Sequence, residues 1–432
     1  MRPIVLKGGR IIDPSQERDE RGDLLLAEGR VVGVGKRLSA PDDAEVIDVT
    51  GKVVAPGLVD LHVHLREPGR EDAETVATGA TAAAAGGFTS ICAMPNTDPV
   101  TDNQAAVGFI VKQAAAARAA RVYPIAAISI SQRGERLAEF GELVHAGAVA
   151  VSDDGHPVVS SHLMRAAIEY AMTFGIPVAD HCEEPTLAGG GGMHEGVVST
   201  RLGLKGIPSA AEEIMVARDI ILAELTGGHV HLCHMSTRGS ADLIRRAKER
   251  GVNVTAEATP HHFTLTDDAC RGYDTNAKMN PPLREQADVE AIREAIKDGT
   301  IDAVATDHAP HHYEAKERDF DDAPFGVVGL ETALGLGVTE LVEGGVLSLP
   351  QLVRRMSTDP AKIFHLPGGT LRKGGPGDVV VFDPQARWRV DPARFYSRSR
   401  NTPFSGRDLV GRVERTIVGG ITVFVLERQG GA

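Results

Sequence analysis

The chain has 432 residues, 42% of them hydrophobic and 24% charged, with a net charge of −13. That is globular composition, long enough for more than one average domain, and its negative balance argues against nucleic acid as the main partner while leaving room for an anionic small molecule held by a local arginine. No run approaches the ~18 apolar residues of a membrane span, and MRPIVLKGGRIID lacks the charged head and long apolar core of a cleaved signal.

The first 55 residues are short apolar alternations broken by turns, PIVLKGGRIID, DLLLAEGRVVGVG and AEVIDVTGKVVAPG, and read as small antiparallel strands. From residue 56 to 365, strand-length apolar runs alternate with helical stretches. The first run, GLVDLHVH, ends in His62 and His64. Strand side chains alternate, so both imidazoles project from one face, where they could hold a metal together. The bland alternative for an isolated HxH is a pair of hydrogen-bonded core or loop histidines. TSICAM and VYPIAAI follow, each preceded by a segment of helical composition, TVATGATAAAAG and NQAAVGFIVKQAAAARAA. AVAVSD ends in Asp153 and Asp154, IPVADHC carries His181, and HVHLCHM carries His234. The helical stretch SADLIRRAKER leads to VNVTAEAT, and IDAVATDH closes the series with Asp307, ahead of His308 and His311.

Eight strands separated by helices imply parallel βα units and match the count of a (β/α)8 TIM-like barrel. The tail returns to short strands, GDVVVFDP, RWRV, RVERTIVGG and ITVFVLE. Residues 1–55 and 366–432 are therefore expected to build one small discontinuous β-sandwich domain around a 56–365 barrel.

In such barrels the active site lies at the carboxyl ends of the strands. Four histidines and two carboxylates collect there. His62 and His64 with His181 and His234 could hold two divalent ions, one carboxylate could bridge them, and another could move protons. Zinc is the expected metal; manganese and cobalt suit the same ligands. Singly, each residue has an ordinary reading: Asp154-Gly155 as a turn, Asp307 as a cap, His181 and His234 as core histidines. Periodicity does not choose between Asp153 and Asp154. His145, His156, His162, His194, His229, His365 and the pair His261-His262 read as structural. His231 is expected to face away from His234, and His308 and His312 to occupy the rim. The four cysteines are too scattered for a disulfide framework, and Cys182 and Cys233 read as buried thiols, which fits a reducing cytoplasm. GGGG at 189–192 reads as a flexible loop, since no GK(S/T) follows.

Taken together, HVHLREPG, MPNTDP at 94–99, SDDG, ADHCE, LCHMS, KMNPPLR and ATDHAPH resemble the type I dihydroorotases of the amidohydrolase superfamily. The likeness runs through most of the chain, to the PGDVVVFD that opens the closing β segment. It implies that His62, His64 and Asp307 hold one metal and His181 and His234 the other. Asp154 would bridge them, with Asp153 as the fallback. Many relatives bridge with a carboxylated lysine, but GAVAVSDDG has no lysine. The resemblance also puts Arg66 and Asn96 at a substrate carboxylate, His64, Asn280 and His311 near the ring, and Phe325 and Gly326 at the substrate through backbone groups. Arg66 suits a carboxylate because its planar fork makes two parallel hydrogen bonds. Its ordinary alternative is a rim salt bridge to Glu67 or Glu71, and Asn96 could be a turn residue. The segment after His311, 312–326, is expected to act as a lid or to be a mobile surface loop.

The implied reaction is reversible cyclisation of N-carbamoyl-L-aspartate to L-dihydroorotate plus water by a metal-bridging hydroxide in pyrimidine biosynthesis, with Asp307 moving the proton. Rival readings are another cyclic amidase (hydantoinase, dihydropyrimidinase or allantoinase) and a non-catalytic partner of aspartate transcarbamoylase. A homodimer or a transcarbamoylase complex are the expected protein partners.

Overall fold

The computed structural model describes residues 2–427. Five strands open the chain: β1 (Ile4–Asp13), β2 (Arg18–Ala27), β3 (Arg30–Gly35), β4 (Glu45–Asp48) and β5 (Val53–Pro56). Ten occupy the middle: β6 (Leu58–Val63), β7 (Phe88–Ala93), β8 (Arg121–Ala126), β9 (Ala150–Val151), β10 (Val178–Asp180), β11 (Met193–His194), β12 (Gly206–Ile207), β13 (Val230–Leu232), β14 (Val254–Ala258) and β15 (Ala303–Val304). Three close it: β16 (Val379–Arg389), β17 (Asp408–Val418) and β18 (Ile421–Val425).

The two ends of the chain meet in one mixed sheet, ordered β18-β17-β16-β5-β1-β2-β3 with β4 on β1. The seam is the antiparallel pairing of β16 with β5, Val379 opposite Pro56. β1 changes parallel partner along its length, from β4 at Ile4–Lys7 to β5 at Arg10–Ile11. The change falls at a bulge between Leu6 and Gly9. There Gly8 takes φ +77°, and a Cβ on it would meet Thr50 Oγ1 at 2.7 Å, so glycine is required. Ile4, Leu6, Ile11, Leu24, Val54, Val379 and Ile417 gather from the strands of this sheet into one buried apolar cluster.

The middle strands form a parallel sheet in chain order, β6-β7-β8-β9-β10-β13-β14-β15. A parallel bridge between Val63 and His308, with His64 N–H donating to the His308 carbonyl at 2.8 Å, joins the last strand to the first and closes the barrel. The eight runs picked out in the sequence are these eight strands. The regular ladder in β9, β10, β13 and β15 is only two or three residues long. Past β13 and β15 the backbone leaves the extended region, since His234 (φ +41°) and Asp307 (φ +46°) adopt left-handed conformations that non-glycine residues seldom take. Helices follow the strands and start on polar caps: Thr75 for Val76–Ala85, Asn103 for Gln104–Ala117, Ser160 for Ser161–Phe174 and Thr237 for Arg238–Glu249. In Val76–Ala85 the buried residues are Val76, Gly79, Ala80, Ala82, Ala83 and Ala84, all but the first small enough to let the helix lie close on the barrel. The GGGG segment leads into β11, which pairs with β12 as a separate two-stranded sheet. Among the described residues no helix is long and apolar enough to cross a membrane.

Candidate active site at the carboxyl rim of the barrel

Asp154, just past β9, is the hub. Its Oδ1 lies 3.4 Å from His62 Nε2, 3.4 Å from His234 Nε2 and 3.6 Å from His181 Nδ1, and its Oδ2 lies 3.4 Å from His64 Nε2. Asp307 Oδ1 completes one half, 3.1 Å from His64 Nε2 and 3.5 Å from His62 Nε2. His181 Nδ1 and His234 Nε2 are 2.9 Å apart in the other half. All six side chains are buried. Bonds of 2.0–2.1 Å to a tetrahedral ion would put ligand atoms about 3.3 Å apart, so these separations suit metal ligation. His62 Nε2, moreover, is buried with no hydrogen-bond partner among the described residues. A lone pair left in that state is costly unless something fills the place, and a divalent cation does. Asp153 does not join the cluster: its carboxylate takes Ser129 N–H at 3.0 Å and the Ser129 hydroxyl.

The electrostatics agree. Burial alone would discharge the His62 imidazolium, but the Asp154 and Asp307 carboxylates outweigh it and hold the pKa well above the ordinary value. Burial likewise opposes charge on His181, yet Asp154 and Glu183 raise it to about 10. On Asp154 and Asp307 burial is the largest influence and works upward, but the surrounding histidines win and hold both carboxyls below the usual range. Cations exchange for these protons when metal binds.

Three of the four imidazoles meet a polar group from behind, while His234 Nδ1 is buried without a hydrogen-bond partner among the described residues. His62 Nδ1 donates to Glu257 Oε1 at 2.8 Å, His64 Nδ1 to Asn96 Oδ1 at 2.8 Å, and His181 Nε2 faces Glu183 Oε2 at 4.0 Å. The hydrogen bonds to Glu257 and Asn96 favour the tautomers that present His62 Nε2 and His64 Nε2 as lone pairs toward the cluster. Asp307 is set by its neighbour: His308 Nε2 meets Glu74 Oε2 at 3.2 Å, and the Ser397 hydroxyl donates to the same oxygen at 2.6 Å.

On the open side of the cluster stand the remaining expected residues. Arg66 (φ +61°) donates from Nε to the Pro310 carbonyl at 3.1 Å, with Nη2 beside His311 Nε2 at 3.4 Å. It makes no ion pair with Glu67 or Glu71; Glu67 instead accepts Val76 N–H at 2.8 Å. His311 Nε2 donates to the Phe325 carbonyl at 2.7 Å, and burial, with Arg66 beside it, pushes its pKa down to about 2, so the ring is neutral. Asn280 Nδ2 lies 3.4 Å from His181 Nε2 and donates to Glu183 Oε2 at 2.8 Å. Gly326 takes φ +135°, and a Cβ there would sit 2.7 Å from Ala309 Cβ. The donor set can therefore hold divalent metal, with the Arg66 guanidinium beside His311 at the same rim.

A family model described as Dihydro-orotase-like matches residues 51–240, and one described as Amidohydrolase family matches 222–424. A dihydroorotase of Geobacter metallireducens is 54% identical over 421 residues, 98% of this chain and 99% of the relative. A dihydroorotase of Pelotomaculum thermopropionicum is 55% identical over 420 residues, 97% of this chain and 98% of the relative. This chain belongs to the dihydroorotase family. Among solved structures, an L-hydantoinase (dihydropyrimidinase) from Arthrobacter aurescens superposes with a TM-score of 0.89 at 27% identity, covering 100% of this chain and 98% of that one. The dihydroorotase family thus shares its barrel and β domain with the hydantoinases, and the chain is a metal-dependent cyclic amide hydrolase.

Several residues of this dihydroorotase site escaped the motif reading. Glu257 on β14 had a visible signal, a lone carboxylate in the apolar run VNVTAEAT, which must find a buried partner. His231, expected to turn away, reaches Glu257 Oε2 at 3.1 Å and so backs His62 at one remove. Asn401 had no local signal: it arrives from the C-terminal segment, where its Nδ2 donates to the Ala309 and Gly326 carbonyls at 3.0 and 3.1 Å and its Oδ1 accepts His311 N–H at 3.1 Å.

Proposed function

We propose that the protein interconverts N-carbamoyl-L-aspartate and L-dihydroorotate with two zinc ions at this rim. The observation that carries the reading is the convergence of His62, His64, His181, His234, Asp154 and Asp307, with Arg66, which forms no ion pair among the described residues, at the same rim. Two bound divalent ions would supply the Lewis acidity that polarises the ring carbonyl and makes water a nucleophile near neutral pH.

The chain's own residues do the rest. His62, His64 and Asp307 would hold one ion and His181 and His234 the other, with the Asp154 carboxylate within reach of both sets. Asp307 accepts the proton of the attacking water at its carboxylate and passes it to the leaving ring nitrogen; in synthesis the transfers run backwards. Arg66 and Asn96 grip the ring's carboxylate, while Asn280, neutral His311 and the backbone of Phe325 and Gly326 orient the ring amide. Residues 56–365 act as the catalytic barrel and 1–55 with 366–432 as its β domain. In the cytoplasm the enzyme works as a homodimer or with aspartate transcarbamoylase.

The test is the ring-opening rate of L-dihydroorotate against dihydrouracil on purified protein with its metal counted. Fast opening of dihydroorotate alone supports the reading. Preference for dihydrouracil moves the chain to the hydantoinase side and leaves Arg66 without its role.

A further inference from the structure

Asn401 reaches the rim from the C-terminal segment and is bonded there like an extra rung of backbone. His308 and Val327 form a parallel bridge, and Ala309 N–H donates to the Val327 carbonyl at 2.9 Å. Beside that pairing the Asn401 side chain takes over from the ladder. Its Nδ2 donates to the Ala309 and Gly326 carbonyls at 3.0 and 3.1 Å, and its Oδ1 accepts His311 N–H at 3.1 Å. Its own carbonyl accepts Val328 N–H at 2.9 Å. Among the described residues the Ala309 and Gly326 carbonyls and the His311 N–H have no other hydrogen-bond partner. Asn401 is only 5% exposed, so without its side chain three backbone groups would lose their partner in a largely buried place.

These groups carry the Arg66 and His311 side of the rim. The Ala309 carbonyl and the His311 N–H flank Pro310, whose own carbonyl accepts Arg66 Nε at 3.1 Å, and Arg66 Nη2 lies 3.4 Å from His311 Nε2. His311 Nε2 donates to the Phe325 carbonyl at 2.7 Å, and a Cβ on Gly326 would come within 3.0 Å of the same nitrogen. The 312–326 loop has separate ties on its other side. Lys316 Nζ donates to the Pro324 and Lys278 carbonyls at 2.7 and 3.3 Å, and Lys278 Nζ to the Phe320 and Asp321 carbonyls at 2.6 and 2.9 Å. Those bonds anchor the loop to the segment that carries Asn280, whereas Asn401 spans the loop end and the His311 segment. An amide suits that place because it offers two N–H donors and a carbonyl acceptor together; a carboxylate has no donor and a hydroxyl has one.

We propose that Asn401 is a positioning residue for the reaction, which holds the His311 segment and the Phe325–Gly326 backbone at the separation a ring amide requires and keeps Pro310 in place under Arg66. The C-terminal segment is then a working part of the active site. The proposal rests on the dihydroorotase reading for the identity of the ring.

The experiment compares the metal-loaded wild type with Asn401→Ala, Asn401→Asp and a control, Ser399→Ala. The control removes another tie of the same segment, the Ser399 hydroxyl to the Ala73 carbonyl at 2.7 Å. KM and kcat are measured on L-dihydroorotate and dihydrouracil, and exchange of the His311 amide hydrogen is followed without substrate. Expected are a KM at least about ten-fold higher in both Asn401 variants with kcat little changed, faster His311 exchange in Asn401→Ala, and wild-type values in Ser399→Ala. Wild-type KM in a folded Asn401→Ala, or an equal rise in Ser399→Ala, would overturn the proposal. A wild type that opens only dihydrouracil would count against the assigned ring, while the KM comparison on dihydrouracil still decides the role of Asn401. If neither ring is opened, the assigned reaction falls, and unchanged His311 exchange in Asn401→Ala would sink this inference separately. Should Asn401→Ala fail to fold, Asn401→Asp, closest to the native shape, decides: a wild-type KM there shows that the donor is not needed.

Discussion

Glu257 Oε1 lies 2.8 Å from His62 Nδ1, and its other oxygen lies 3.1 Å from His231 Nε2, with the carboxylate fully buried. Burial would raise the pKa of this acid, but the hydrogen bonds from His231 and His62 win and bring it to about 2. A permanent anion behind His62 fixes its tautomer and strengthens Nε2 as a ligand.

Glu257→Gln should therefore weaken metal binding by about 10- to 100-fold, the usual cost of losing such a supporting carboxylate. Competition with a chelator of known affinity reads this directly. Wild-type affinity in the variant would show that His62 needs no help from β14.

Asp307→Asn should leave the fold intact and remove the proton carrier, lowering kcat by roughly 10²- to 10⁴-fold. Circular dichroism and metal counting must accompany the kinetics. A folded, metal-loaded variant turning over at nearly the wild-type rate would exclude Asp307 from proton transfer.

Arg66→Gln should cost dihydroorotate about 3 kcal/mol in kcat/KM, roughly a hundred-fold, because the substrate carboxylate would lose its buried charged partner. Dihydrouracil, with no carboxylate, should lose little. Parallel losses on the two rings would mean that Arg66 shapes the site rather than reads charge.

Stability should fall on acidification for reasons outside the metal cluster. Burial, with Arg284 as the next influence, pushes His194 down to about 4, and burial does the same to His229 and His262. In each case the folded pKa lies below the ordinary 6.5, so the unfolded chain binds the proton more readily. Their contribution is complete above pH 6.5 and fades as pH falls toward 4. His194 Nδ1 accepts from Arg284 Nη1 at 3.1 Å, which a protonated ring cannot do. His194→Asn keeps an acceptor that does not titrate, and its urea midpoint should fall less between pH 7 and pH 5 than that of the wild type. Identical slopes would remove His194 from the account.

Much of this was legible in the chain because local chemistry repeats locally. HVH on a strand puts two imidazoles on one face whatever surrounds them, and eight apolar runs separated by helical stretches leave little choice but a closed parallel barrel. The pair Asp153-Asp154 shows where legibility stopped. Both lie in one buried turn with the same composition on either side, and only the approach of Ser129 from the preceding strand's loop draws Asp153 away and leaves Asp154 among the histidines. The 312–326 loop is the same lesson with the other sign: its charged sequence suggested a lid or a mobile segment, whereas two buried lysines, one of them 38 positions earlier than the other, bind it down.

What the sequence determined by itself is the set of donors and the strands that carry them, since alternation along a strand and the carboxyl-end rule for barrels follow from backbone geometry. What only the tertiary structure decided is which donor faces which. Glu257 behind His62, Asn401 between Ala309, Gly326 and His311, and Lys316 beneath Pro324 are contacts between segments far apart in the chain. They depend on barrel closure and on the C-terminal segment folding back, and no periodicity encodes them: a buried polar group must be paired, but the chain alone does not say with what.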